Sequence, residues 1–305
     1  MGDPMRALVM LFVFTSVFLG SASPQSDESG EVWPLPLIIA PESTADVSYL
    51  HTKNKNGEVT SANAVAELSV HNEHDDGFIA TWKMKSIAVG DVLIDEKNPQ
   101  AASLYIGIPF KFVASFDGEP VRIFDKERLL SGLSKNPVFE NNEEDTVQAV
   151  VELFQSMSDE GLASTFVKVP YFMSICQATS LPPSQKVESR GEVASPFGEG
   201  SLVGFTSYEL TTIDDEIGVA RIEYKSGYDP DSMKELVTDV FQRLAPDKMP
   251  TQEEIDQVSI IQTTQAICDI DLETGWVSEM NLTNLVEADG EFQSEEFQIS
   301  VSWTE

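Results

Sequence analysis

From Asp46 onward, hydrophobic and polar positions alternate with a period of two through one segment after another, and turn-forming pairs separate the segments. Successive side chains of a strand point to opposite faces, so this alternation predicts half-buried antiparallel strands. "DVSYLHTKN" leads to Asn56-Gly57 and "NAVAELSVHNE" to Asp76-Gly77. "FIATWKMKSIAV" then sets Ala80, Trp82 and Met84 on one face and Thr81, Lys83 and Lys85 on the other. Asp117-Gly118, between "FKFVASF" and "PVRIF", is a strong short-hairpin signal. "SLVGFTSYELTTI" and "VARIEYKSG" form a further hairpin around "DDEIG". Three last strands are predicted at 258–272, 276–287 and 291–303, the last with Phe297, Ile299, Val301 and Trp303 on one face.

The middle of the chain changes period. "DKERLLSGLS" at 125–134 predicts a short helix capped by Asp125. Val147, Val150, Val151 and Phe154 make an i, i+3, i+4, i+7 stripe that predicts a helix over 143–157. A helix over 159–179 is expected to be interrupted by Pro170, and Leu181-Pro182-Pro183 ends the block. Asp229, with Pro230 at the first helical position, opens a helix over 230–244 whose apolar face carries Met233, Leu236, Val237, Val240, Phe241 and Leu244. Thr251 and Glu254 make a capping box. The expected class is therefore α+β, mainly β: a large curved antiparallel sheet, half-barrel-like, with three or more covering helices. Residues 46–305 read as a single β-rich domain with a helical insertion near 125–180.

The N-terminus changes the picture by assigning a compartment. Ala7–Leu19 is an uncharged, mostly apolar run that follows Arg6 and precedes "GSAS". It falls short of the roughly 20 residues that span a bilayer. A basic start, a short apolar run and small residues at Gly20 and Ala22 are the pattern of a cleaved export signal over 1–22. The polar stretch that follows makes 23–45 a flexible mature terminus. The expected location is periplasmic or secreted, with no stable membrane anchor.

Charge then excludes partners. With 51 acidic and 19 basic residues the net charge is −32, which repels nucleic acid and anionic lipid headgroups. Acids are interleaved with aromatic and branched residues, so the charge is read as a solvated surface rather than as disorder.

Two cysteines, Cys176 and Cys268, leave three readings: a disulfide, two buried thiols, or a nucleophile. Oxidising conditions after export favour the first. Cys268 shares a strand face with Ile270 and Leu272, which suits a buried half-cystine. Asp269, Asp271 and Glu273 imitate the start of a calcium loop, but Thr274 stands where that loop needs glycine and Met280 where it needs an acid. Those three acids instead read as the outer face of a strand before a Thr274-Gly275 turn. "HNEHDD" at 71–76 reads as a hairpin tip, since the zinc pattern H-E-x-x-H is missing. "GEGSLVG" lacks phosphate-loop spacing and a following helix. Asn281-Leu282-Thr283 is a glycosylation sequon. No catalytic residue, metal ligand or cofactor is assigned.

The order of elements, strands with inserted helices behind an export signal, resembles the half-barrel envelope carriers of the LolA and LppX type. The segment "PFGEGSLVGFTSYELTTIDDEIGVARIEY" is also similar to uncharacterised exported bacterial proteins. That resemblance implies a curved sheet that holds lipid. The function expected is thus non-enzymatic, with an apolar small molecule, a lipid or a protein partner bound on the sheet. Trp82, Met84, Phe297 and Val301 are the candidate lining. The alternatives are an exported hydrolase or a structural and assembly protein.

Overall fold

Turn chemistry closes the hairpins. Asn56 and Gly57, at φ 52° and 90°, both occupy the left-handed region that a two-residue hairpin turn requires. They join β2 (Thr44–Lys55) to β3 (Glu58–His74), with Lys55 opposite Glu58. The computed structural model describes residues 32–95, 106–124, 159–194, 201–244, 260–288 and 291–304, with Lys126, Glu127, Leu130, Ser131 and Gln155 besides. The remaining elements in chain order begin with β1 (Trp33–Pro34), and β4 (Gly77–Val89), β5 (Val92–Asp95), β6 (Pro109–Ala114) and β7 (Pro120–Ile123) follow β3. Helices α1 (Asp159–Phe166) and α2 (Lys168–Ser174) come next, then β8 (Ser180–Leu181), β9 (Lys186–Ala194), β10 (Ser201–Asp214) and β11 (Val219–Tyr228). The chain ends with α3 (Pro230–Leu244), β12 (Ile260–Asp271), β13 (Val277–Ala288) and β14 (Glu291–Thr304).

All but β1 and β8 belong to one 12-stranded antiparallel sheet, ordered β7-β6-β4-β3-β2-β14-β13-β12-β11-β10-β9, with β5 paired to β4. It consists of two meanders joined where β2 pairs β14, from Thr44 opposite Thr304 to Lys55 opposite Gln293. Its edges, β7 and β9, are not paired to each other, so the sheet does not close into a barrel.

The sheet is strongly curled. Four inter-strand steps separate β4 from β13, about 19 Å in a flat sheet. Yet Phe78 of β4 and Trp276, next to β13, bring their ring centroids to 6.0 Å. Helix α2 touches both β7 and β13 from inside the curl. Its Phe172 packs edge-on to Phe297 at 5.0 Å, and Phe166 of α1 stacks on Phe110 at 5.1 Å.

This geometry corrects the expected α+β class. Among the described residues the chain is mostly β, and the three or more covering helices are not found there. Two short helices, α1 and α2, enter the core, while no described side chain of α3 belongs to it. A curled sheet buries much of its concave face against itself, so it needs little helical cover. The break between α1 and α2 falls at Val167, not at Pro170. Pro170 is third in α2, where an amide has no intrahelical acceptor to lose. Helix α3 begins where expected: Asp229 Oδ1 accepts from the amides of Asp231 at 3.1 Å and Ser232 at 3.3 Å. The expected helix over 143–157, the capping box at Thr251 and the export signal lie outside the described residues, as does most of 125–134.

A short strap closes the end of the curl near Trp276. Within the span 23–45, Leu35 is buried and its amide donates to the Thr179 carbonyl at 2.8 Å. The Trp276 indole donates to the Ile38 carbonyl at 2.9 Å. Gly275, at φ 72°, lets this strap approach: a Cβ there would lie 2.1 Å from the Pro36 carbonyl oxygen.

Cys176, just after α2, and Cys268 of β12 form a disulfide, both fully buried, across a sequence separation of 92. Neither thiol is free. Closing so long a loop contributes about 4–5 kcal/mol through the entropy of the unfolded chain. We expect thiol titration of the denatured protein to find no free cysteine and reduction to lower the unfolding free energy by about that amount. Two titratable thiols, or an unchanged denaturation midpoint on reduction, would contradict the assignment.

Candidate binding site

The strand alternation that builds the core also sets one non-apolar band inside it. Cross-strand pairing puts Thr206, Ser226, Thr264, Asn284, Glu295 and Lys53 in one row across β10, β11, β12, β13, β14 and β2. This row lies on the concave face, because the row two residues away on each strand holds Tyr208, Tyr224, Ala266, Leu282, Phe297 and His51. Ser226, Thr264, Asn284 and Glu295 are buried, as is Gln293 one pleat beyond. Interior positions of this kind are normally apolar or fully hydrogen-bonded.

Glu295 is the centre of the band, with a side chain 11% exposed. Lys168, the first residue of α2, donates to its Oε2 at 3.1 Å. Lys53 Nζ lies 3.5 Å from Oε1, and His51 Nε2 lies 3.9 Å from Oε2. The His51 ring stacks on Phe297, 4.3 Å between centroids and 7° from parallel. The Lys168 ammonium also stands over the Phe297 ring at 5.1 Å and the Phe172 ring at 5.5 Å, where the π faces favour a cation.

Burial alone would push the Glu295 carboxyl up. Lys168, by charge and hydrogen bond, outweighs this together with His51 and Lys53 and holds it below the ordinary carboxylate value. Burial pushes the His51 imidazole down. Glu295 pulls it back, Lys168 and Lys53 oppose that pull, and it settles below its ordinary 6.5. At neutral pH the site therefore holds an ionised Glu295 and a neutral His51, with Lys168 and Lys53 beside them.

The surrounding hydrogen bonds are incomplete. Thr264 Oγ1 donates to Asn284 Oδ1 at 2.8 Å, which leaves Asn284 Nδ2 without a partner among the described residues. Gln293 Nε2 and His51 Nε2 are likewise buried without a hydrogen-bond partner there. Each such group costs about 1–3 kcal/mol when left unmet.

The candidate lining residues are distributed as follows. Trp82, Phe297 and Val301 lie on the concave face within the hydrophobic core. Met84, half-buried, stands opposite Ala66. Of the four, Phe297 is the one in contact with the polar band. The calcium-like acids do other work: Asp269 receives two hydrogen bonds from Arg221 at 2.7 and 2.8 Å, and Asp271 caps the turn through Thr274 at 2.8 Å. His71 pairs with Thr81 at 2.8 Å. No group of His, Cys, Asp or Glu fit to hold a metal occurs among the described residues.

Glu295, Lys53, Lys168, Asn284, Gln293 and His51 escape the sequence reading. A signal did exist. The parity of Phe297, Ile299, Val301 and Trp303, carried back along the strand, puts Glu295 and Gln293 on the buried face.

No family model matches the chain, and no curated protein matches it. Among solved structures, DynF from the dynemicin biosynthesis pathway of Micromonospora chersina aligns at 6% identity and TM-score 0.18, covering 93% of this chain and 92% of its own. An outer membrane channel from Pseudomonas putida F1 aligns at 9% identity and TM-score 0.18, covering 91% and 100%. Similarity at that level is too low to argue a shared fold. Among the described residues, no helix is long and apolar enough to cross a membrane.

The titration of the site has a definite sign. His51 has a lowered pKa when folded, so below its ordinary 6.5 the unfolded chain takes up a proton that the folded one refuses. Stability is thus retained above that pH and lost as the pH falls through it, and Glu295 adds the same trend lower down. We expect the urea midpoint to drop between about pH 7.5 and pH 5.5, and His51→Gln to reduce that drop. An identical drop in the variant would show that His51 is not protonation-restrained.

Proposed function

We propose that this protein is exported and non-enzymatic, and that it holds a small amphiphilic molecule inside its curled sheet. The observation that carries this reading is the buried polar band with incompletely paired amides, set against Phe297, Leu282 and Val286. A purely structural interior gains nothing from unpaired amides, whereas a ligand site uses a few polar groups on an apolar wall to fix orientation. The polar part of the ligand would sit at Glu295, Asn284 and Gln293 and its apolar part along Phe297.

Export is supported by the Ala7–Leu19 run with its flanks and by the buried disulfide, which oxidising compartments preserve. The hydrolase alternative is disfavoured by two contacts. Both cysteines are in the disulfide, which removes a cysteine nucleophile, and His51 is engaged with Glu295 and Phe297. The earlier expectation of an apolar ligand is kept, with a polar head added.

Intact mass of the exported protein should place its first residue at Ser23, and retention of the Ala7–Leu19 run would refute the export reading. A fluorescent fatty-acid probe should bind the purified protein at one saturable site. Phe297→Ala should weaken that binding about tenfold, a loss set by the 1–3 kcal/mol of apolar contact at stake. Linear, unsaturable probe uptake would reject an internal site.

A further inference from the structure

The band points to the chemical class of the ligand head. We propose that the site binds a single aliphatic carboxylate, gripped by the Lys168 ammonium and the amides of Asn284 and Gln293. This rests on the reading that a small amphiphile occupies the curl.

The polarity of the unmet groups selects an acceptor. Asn284 Nδ2 and Gln293 Nε2 are donors, and an ammonium offers only donors. Lys168 gives one hydrogen bond to Glu295 and lies against two aromatic faces, so its remaining donors can serve a second oxygen. An alcohol or amine head would meet these groups poorly. The net charge of −32 makes the location informative, since this chain places two of its few lysines beside one buried acid.

Charge balance narrows the class further. A carboxylate, Glu295, is already stabilised by these cations, so the surroundings suit a second group of the same kind. A phosphate monoester carries about −1.5 to −2 at neutral pH, which would set excess negative charge against Glu295. Access is from the side where the side chains of Lys53, Lys168 and His51 are 40%, 35% and 32% exposed. Asn284 and Gln293, at 9% and 3%, lie deeper. An aliphatic chain behind the head would meet Phe297, Leu282 and Val286.

The test titrates delipidated full-length protein with dodecanoate, dodecanol and dodecyl phosphate by calorimetry. Dodecanoate should bind with one-to-one stoichiometry, about tenfold or more tightly than either of the others, the size of loss expected for a hydrogen bond to a charged group. Lys168→Met should remove that preference, whereas Lys168→Arg should restore most of it. Gln293→Leu, which keeps every charge, should weaken dodecanoate alone and guards against a misfolded lysine variant. Equal affinity for dodecanoate and dodecanol, or an unaltered preference in both Lys168→Met and Gln293→Leu, would overturn the carboxylate assignment while leaving an internal apolar site standing. Tightest binding of dodecyl phosphate would overturn it in favour of a phosphate head. No binding of any of the three would overturn the ligand-holding reading itself.

Discussion

The pairing of β2 with β14 joins the first strand of the large sheet, in chain order, to its last. Each meander on either side of it pairs strands that are near neighbours in the sheet's chain order, several of them through short hairpins that close cheaply. The seam between them must close a loop of most of the chain, whose entropy grows with length but only slowly. What offsets that cost is a run of concave-face side chains that acquire neighbours on both sides at once: Val47, Phe297, Ile299 and Val301 are all buried in the common core. Without the seam there would be two narrow sheets, each with an exposed edge and an unburied face.

Curling follows from joining two twisted meanders into one wide sheet. Strand twist accumulates across neighbours, and a sheet this wide relieves it by bending. The bend brings Phe78 to Trp276 and encloses side chains of α1 and α2 in the hollow. The Cys176–Cys268 bond then ties the segment following α2 to β12, so the helix that fills the curl is fixed to the wall it packs against. The strap at Leu35 and Ile38 covers the same end. The polar band begins where α2 starts, at Lys168.

The band lies across the seam itself. Lys53 and His51 come from β2, Glu295 and Phe297 from β14, and the register sets Lys53 opposite Glu295 and His51 opposite Phe297. A shift of either strand by one residue would turn its own two site residues to the outer face. The same pairing that completes the fold thus assembles the charged site, and Lys168 adds the contact that ties α2 to it.

The sequence by itself determined the strands, their turns and their faces, because period-two alternation and pairs such as Asn56-Gly57 act over a few residues. It also determined that Cys268 faces inward and Asp269 outward, since both follow from parity. Glu295 and Gln293 were legible in the same parity, although isolated polar residues at inward positions look like interruptions until their neighbours are known. Tertiary structure alone decided the strand order, the curl and the small number of helices. Those depend on which distant strands pair, and apolar stripes state only that a face is buried, not against what. It alone decided, too, that His51, Lys53, Lys168 and Glu295 meet, because they come from three elements far apart in the chain and are brought together by one register.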